Sequence, residues 1–180
     1  MRTASLIGLS LALAGSGLAA RAAAFDPPID RAADGQMQCF APDTARKTCR
    51  SLAAYRPGAD GGVDNIAIVL VSSDPVITMR TVSPVTVKAG QVCGPIRAED
   101  FQGAQFSIGG QPADDNQTTE LRQAIADAMK DVIGKETCTA FVPAQGGAFT
   151  AKATIGGVAQ PGADMPVIWV SPSDGYKVAP

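Results

Sequence analysis

Apolar residues fall along this chain in short blocks of strand length, broken by Gly, Pro, Asp and Ser. Residues 66–71 (Ile-Ala-Ile-Val-Leu-Val) form the longest unbroken block, bounded by Gly61-Gly62 and Ser72-Ser73-Asp74-Pro75. A block without alternation predicts a strand covered on both faces. Residues 76–82 are rich in β-formers. Residues 84–88 alternate, which turns Val85 and Val87 inward, and Pro84 suits a strand start or an edge. A short strand over 104–108 stops at Gly109-Gly110. Residues 137–142 read as a strand holding Cys138. Residues 149–155 alternate plainly, with Phe149, Ala151, Ala153 and Ile155 on the inner face. Residues 167–170 make the last apolar strand and place Trp169 in the core.

Only one stretch carries the helical period. Leu121, Ile125, Ala128, Met129, Val132 and Ile133 recur at three- and four-residue steps, predicting a helix over 118–133. Asn116 or Thr118 suits its start, and Gly134 its end. Residues 43–56 allow a short helix or a strand. Residues 25–36, rich in Pro, Asp and Gly, read as a flexible segment with little regular structure. Ser107-Ile108-Gly109-Gly110 echoes Thr154-Ile155-Gly156-Gly157, a similarity better explained by reused turn chemistry than by duplication. Together these elements predict an α+β fold. A mainly antiparallel sheet of about five to seven strands packs one principal helix within a single domain, 37–180.

The N-terminus changes the setting. A short positive start (Met1-Arg2-Thr3), a diluted apolar stretch and Ala22-Ala23-Ala24 before Phe25 make residues 1–24 a cleavable export signal. A spanning helix wants about 20 strongly apolar residues, and this stretch is interrupted by Gly and Ser. Beyond it the sequence predicts no transmembrane segment, so an exported protein is expected, periplasmic in the first place and secreted into the medium as the alternative. Of the 15 basic residues only Arg2 and Arg21 fall in the signal, leaving 13 against 17 acidic ones, a net charge of −4. That acidity is a poor footprint for nucleic acid.

Export gives the cysteines their meaning. Cys39, Cys49, Cys93 and Cys138 are an even set, and oxidising compartments favour disulfides. Spacing allows three connectivities. The turn-like Ala41-Pro42-Asp43-Thr44 between the first two favours Cys39–Cys49, which leaves Cys93–Cys138. No C-x-x-C motif or pair of zinc knuckles is present, so neither redox exchange nor a metal site is expected.

The chain contains no His. Ser-His-Asp triads, Cys-His dyads and His-ligated metal or haem sites are therefore excluded within it. Glu99 and Asp100, with Glu136 as a further carboxylate, offer an acid–base pair, but neighbours in sequence point apart, and residues 96–101 read better as one polar helical turn. Ser171, Ser173 and Lys177 lack nucleophile spacing. Asp114-Asp115-Asn116 lacks the calcium-loop pattern and suits a helix cap. No catalytic residue, metal site or cofactor is predicted.

The remaining candidate is basic. Arg46, Lys47 and Arg50 cluster beside Cys49, and a bridged loop would hold their donors toward phosphate or carboxylate groups. The expectation is a non-enzymatic binding or structural module of the cell envelope, with an anionic envelope component as partner. A carboxylate hydrolase of envelope glycans, and an inhibitor or effector acting through the 39–49 loop, are the alternatives.

Overall fold

The computed structural model describes residues 25–59 and 61–180; the expected export signal, 1–24, lies outside them. Thirteen strands form among the described residues. They are β1 (Met37–Phe40), β2 (Thr48–Cys49), β3 (Ser51–Pro57), β4 (Val63–Ser73), β5 (Val76–Lys88), β6 (Gln91–Pro95), β7 (Gln105–Ile108), β8 (Gln111–Pro112), β9 (Glu136–Pro143), β10 (Phe149–Ile155), β11 (Val158–Ala159), β12 (Met165–Val170) and β13 (Lys177–Val178). Two α-helices interrupt them, α1 (Ala98–Gln102) and α2 (Asp115–Met129).

Eight strands pair in a ring. In order they are β1, β3, β4, β5, β6, β9, β10 and β12, and β12 returns to β1 through Met37↔Val170 and Phe40↔Val167. Every pairing in the ring is antiparallel. The chain visits the strands in sequence order, so this is a closed up-and-down barrel, which has no free edges. It corrects the expected sheet with a principal helix. Helix α2 exists, but it begins at Asp115 rather than 118 and none of its residues is buried. Its Leu121 and Ile125 pack with Phe101, Phe106 and Met79 on a side layer built by β7. The N-cap is Asp114, whose carboxylate accepts from the Gln117 amide while the Gln117 side chain accepts from the Asp114 amide.

Turn chemistry sets the tight hairpins, one of them a corner of the ring. Ala89-Gly90 joins β5 to β6, Gly109-Gly110 joins β7 to β8, and Gly156-Gly157 joins β10 to β11. All six residues have positive φ, which the tightest hairpin turns demand. The two Gly-Gly repeats are thus the same turn used twice. Pro84 sits inside β5, not at its end. There β5 has left β7 (paired at 77–80) and has not yet met β6 (paired at 86–88), so one side of the strand has no ladder to break.

Alternation decides which side chains enter the barrel. Ala151, Ala153 and Ile155 of β10 stand opposite Phe141, Thr139 and Thr137 of β9, all on the inner face as the sequence pattern requires. Val85 also faces inward. The 66–71 block differs from expectation. It belongs to β4, which is half-buried over most of its length, with Ala67 toward the interior and Val71 exposed.

Residues 25–36 differ as well. A single 3-10 turn (Asp30–Asp34) forms there, ending at Gly35, whose φ of 72° only glycine adopts freely. Just before it, Ile29 is completely buried beside Tyr55, Val92 and the half-buried Phe141 and Trp169. These residues, with Val63 and Val87, lie at the end of the barrel where β3 and β5 finish and β4 and β6 start. The N-terminal segment is therefore a plug in that end.

Both expected disulfides are present. Cys39–Cys49 has a Cα–Cα distance of 5.4 Å, and Cys93–Cys138 one of 4.1 Å. Cys93 and Cys138 are directly opposed across β6 and β9 and staple the barrel wall. Cys39 and Cys49 form a second buried cluster with Leu52 and Val170, outside the wall, where the half-buried Tyr176 and Val178 of the C-terminal segment cover it. No helix among the described residues is long and apolar enough to cross a membrane.

Candidate functional site in the barrel lumen

Small side chains leave the barrel hollow. Ala53 on β3, Ala67 on β4, Ser83 on β5 and Gly94 on β6 project inward where large residues would fill the space. The result is a cavity of about 410 Å³. An eight-stranded barrel is just wide enough for packed side chains or one small ligand, and cavities of ~300–1,000 Å³ hold such ligands. Gly94 has a structural reason too. A Cβ there would stand 2.7 Å from the Pro84 carbonyl oxygen, so the close approach of β5 and β6 needs glycine.

The cavity's surface is mainly apolar, with a polar floor. At the floor the Tyr55 hydroxyl donates to Gln38 Oε1 at 2.7 Å. Burial holds the Tyr55 phenol well above its ordinary range, and a hydrogen bond with Asn65 opposes that shift only in part. Gln38 is fully buried, and its Nε2 has no hydrogen-bond partner. An orphaned buried donor costs roughly 1–3 kcal/mol, unless an acceptor comes to it. Phe40 and Phe141 meet edge to face across the lumen, 6.2 Å between ring centres.

The opposite end is the mouth. It lies where β6 and β10 finish and β9 starts, and α1 crosses it through Arg97, Asp100 and Phe101, with Met129 from the end of α2. Asp100 is buried and hydrogen-bonded to Arg97, which keeps the Arg97 guanidinium above its ordinary pKa. This pair braces the first turn of α1 internally.

The sequence candidates lie elsewhere. Arg46 is exposed and ion-paired with Asp43 at 2.7 Å; the Arg46 backbone amide, and after it this side-chain contact, lower the Asp43 pKa. Lys47 donates to the Asp174 carbonyl at 2.8 Å. Arg50 is exposed and makes no ion pair. Two of the three cations are thus engaged by local acceptors. Of the carboxylates, Asp100 is held by Arg97 and Glu136 by Lys88, while Glu99 is exposed. Ser171 caps a 3-10 turn (Pro172–Asp174). Among the described residues no group of three or more His, Cys, Asp or Glu side chains is placed to hold a metal.

Sequence reasoning missed the lumen residues Tyr55 and Asn65, and Gln38, which bonds to Tyr55. One signal existed: polar residues at alternate positions of apolar strands, as in Thr137-Cys138-Thr139-Ala140-Phe141, where Thr137, Thr139 and Phe141 face inward. The class defined by this architecture is a small, disulfide-stapled antiparallel barrel with a hollow, polar-floored interior. No family model, curated protein or solved structure matches the chain.

Proposed function

We propose that this is an exported, non-enzymatic binding protein that carries a small, mainly apolar molecule in its barrel lumen. The observation that carries the reading is a mainly apolar cavity of about 410 Å³ whose polar end is lined by Tyr55 and Asn65, with the fully buried Gln38 behind Tyr55. A ligand with one polar end meets Tyr55 and Asn65 there, and its apolar body covers the walls lined by Ala53 and Ala67. The two disulfides suit an oxidising compartment.

The test uses N-phenylnaphthylamine, a neutral probe that fluoresces in apolar surroundings. Native protein should raise its emission saturably, and Ala67→Phe, which fills the lumen, should weaken binding about tenfold or more. No enhancement by native protein, or equal binding by Ala67→Phe, overturns the proposal. The basic loop is the lesser candidate for an anionic envelope partner, because Arg46 and Lys47 already have local acceptors.

A further inference from the structure

A second cavity, of about 570 Å³, lies outside the barrel wall between β5, β7 and the first turns of α2. Two guanidinium groups line it, Arg80 from β5 and Arg122 from α2. Neither forms an ion pair. Cross-strand register explains Arg80: its neighbours are Ile68 and Gln105, and neither is acidic. Helical spacing explains Arg122: positions 118, 119, 125 and 126, one turn either way, hold Thr, Thr, Ile and Ala. Of the two acids at the helix start, Asp114 is occupied in the cap and Asp115 forms no ion pair.

Arg122 is half-buried. Its Nη2 donates to the Ala104 carbonyl at 2.9 Å, and its Nε is buried with no partner at all. Arginine's hydrogen bonds are strongest when a carboxylate or phosphate meets two of its N–H groups at once. Around the two cations stand further polar side chains, Gln105, Ser107 and Thr118, and the apolar Phe106. Two unneutralised guanidiniums in one cavity of an acidic chain want a counter-anion. We infer that this cleft is an anion-binding site for a small molecule bearing a carboxylate or phosphate, held by Arg80 and Arg122. It is separate from the lumen and does not depend on what the lumen binds.

The test is titration of the native protein with inorganic phosphate and, separately, acetate at low salt, followed by amide chemical shifts. Free ions of this size should bind with a Kd on the order of millimolar. Saturable shifts at Gln105, Ser107 and Thr118 are expected, and a preference for one probe assigns phosphate or carboxylate chemistry. Arg80→Gln and Arg122→Gln should each weaken binding about tenfold. Arg122 also holds the Ala104 carbonyl, so Arg80→Gln, whose native side chain bonds to nothing, decides if Arg122→Gln misfolds. Absence of saturable shifts with either probe, or unchanged affinity in Arg80→Gln, overturns the inference. Ala67→Phe in the lumen should leave these shifts intact.

Discussion

Replacing Ile29 with Ala tests whether the N-terminal segment is part of the barrel's core. Ile29 has no exposed surface and is surrounded by Tyr55, Val92, Ala32 and the half-buried Phe25, Val63, Val85, Val87, Phe141 and Trp169. Removing its outer carbons loses their burial and leaves a hole. Such changes cost ~2–5 kcal/mol, and the cost is higher where the walls cannot collapse. Here the hydrogen-bonded strands of a closed barrel supply most of the wall, so about 3–4 kcal/mol is expected. For a domain of this size that corresponds to a fall in Tm of about 6–16 °C. Trp169 is the only tryptophan and lies in the same cluster, so its emission during urea unfolding reads the site directly. Asp30→Ala, one residue away and exposed, should stay within about 0.5 kcal/mol of native. A cost below about 1 kcal/mol for Ile29→Ala, with native Trp169 emission unchanged, would refute the plug.

The other predictions concern the wall and the floor. Breaking Cys93–Cys138 by paired Cys→Ser changes frees a span of 45 residues and should cost about 4 kcal/mol by the chain-entropy relation. Breaking Cys39–Cys49, with a span of 10, should cost nearer 2.5–3 kcal/mol, by about the same relation. Urea unfolding under oxidising conditions checks both, and the reverse order counts against the entropic account. Gly94→Ala should destabilise by about 1–3 kcal/mol, because its Cβ meets the Pro84 carbonyl; a neutral effect in thermal melting would contradict the close approach. Tyr55 has a raised pKa when folded, so its contribution is complete below the unfolded value, about 10, and is lost as pH rises toward the folded value. Stability should therefore fall above about pH 10, and tyrosinate absorbance from Tyr55 should appear only as the barrel opens. Ionisation of Tyr55 in the still-folded protein at ordinary phenol pH would contradict its burial.

Local chemistry was legible in the sequence wherever one residue type forces one conformation. The Gly-Gly turns, the disulfide pairing, the helix and the inward face of residues 149–155 belong to this group. On β10 the pattern was clean because Lys152 points out and alanines point in. Closure was not legible. It rests on the pairing of β12 with β1, which lie more than 120 residues apart, and no local pattern encodes so distant a partner. The plug was hidden for a different reason. Pro27-Pro28 and the acidic residues around Ile29 have the composition of a linker, yet one isoleucine and one alanine suffice to fill the end of a narrow barrel.

The lumen was illegible for the reason that makes it a candidate site. A barrel packed solid puts large apolar residues at its inward positions, and the resulting alternation announces the inner face. Here the inward positions include Ser51, Asn65, Thr81, Ser83, Thr137 and Thr139, while Ile66, Ile68 and Leu70 occupy the intervening positions of β4. Hydrophobic periodicity therefore points partly the wrong way. Only Gln38 and Tyr55 satisfy each other across the floor, and they leave one amide donor over. A chain selected only for stability gains by replacing both partners with apolar residues, since an apolar floor needs no hydrogen bond, whereas replacing Gln38 alone leaves the buried Tyr55 hydroxyl without its acceptor. Retaining the pair there, beneath alanines that decline to fill the space, makes structural sense when the lumen holds a ligand whose polar end meets Tyr55. Gln38→Leu made together with Tyr55→Phe removes acceptor and donor at once and separates the two demands: stability in the empty barrel should hold or rise, and affinity for a lumen ligand with a polar end should fall.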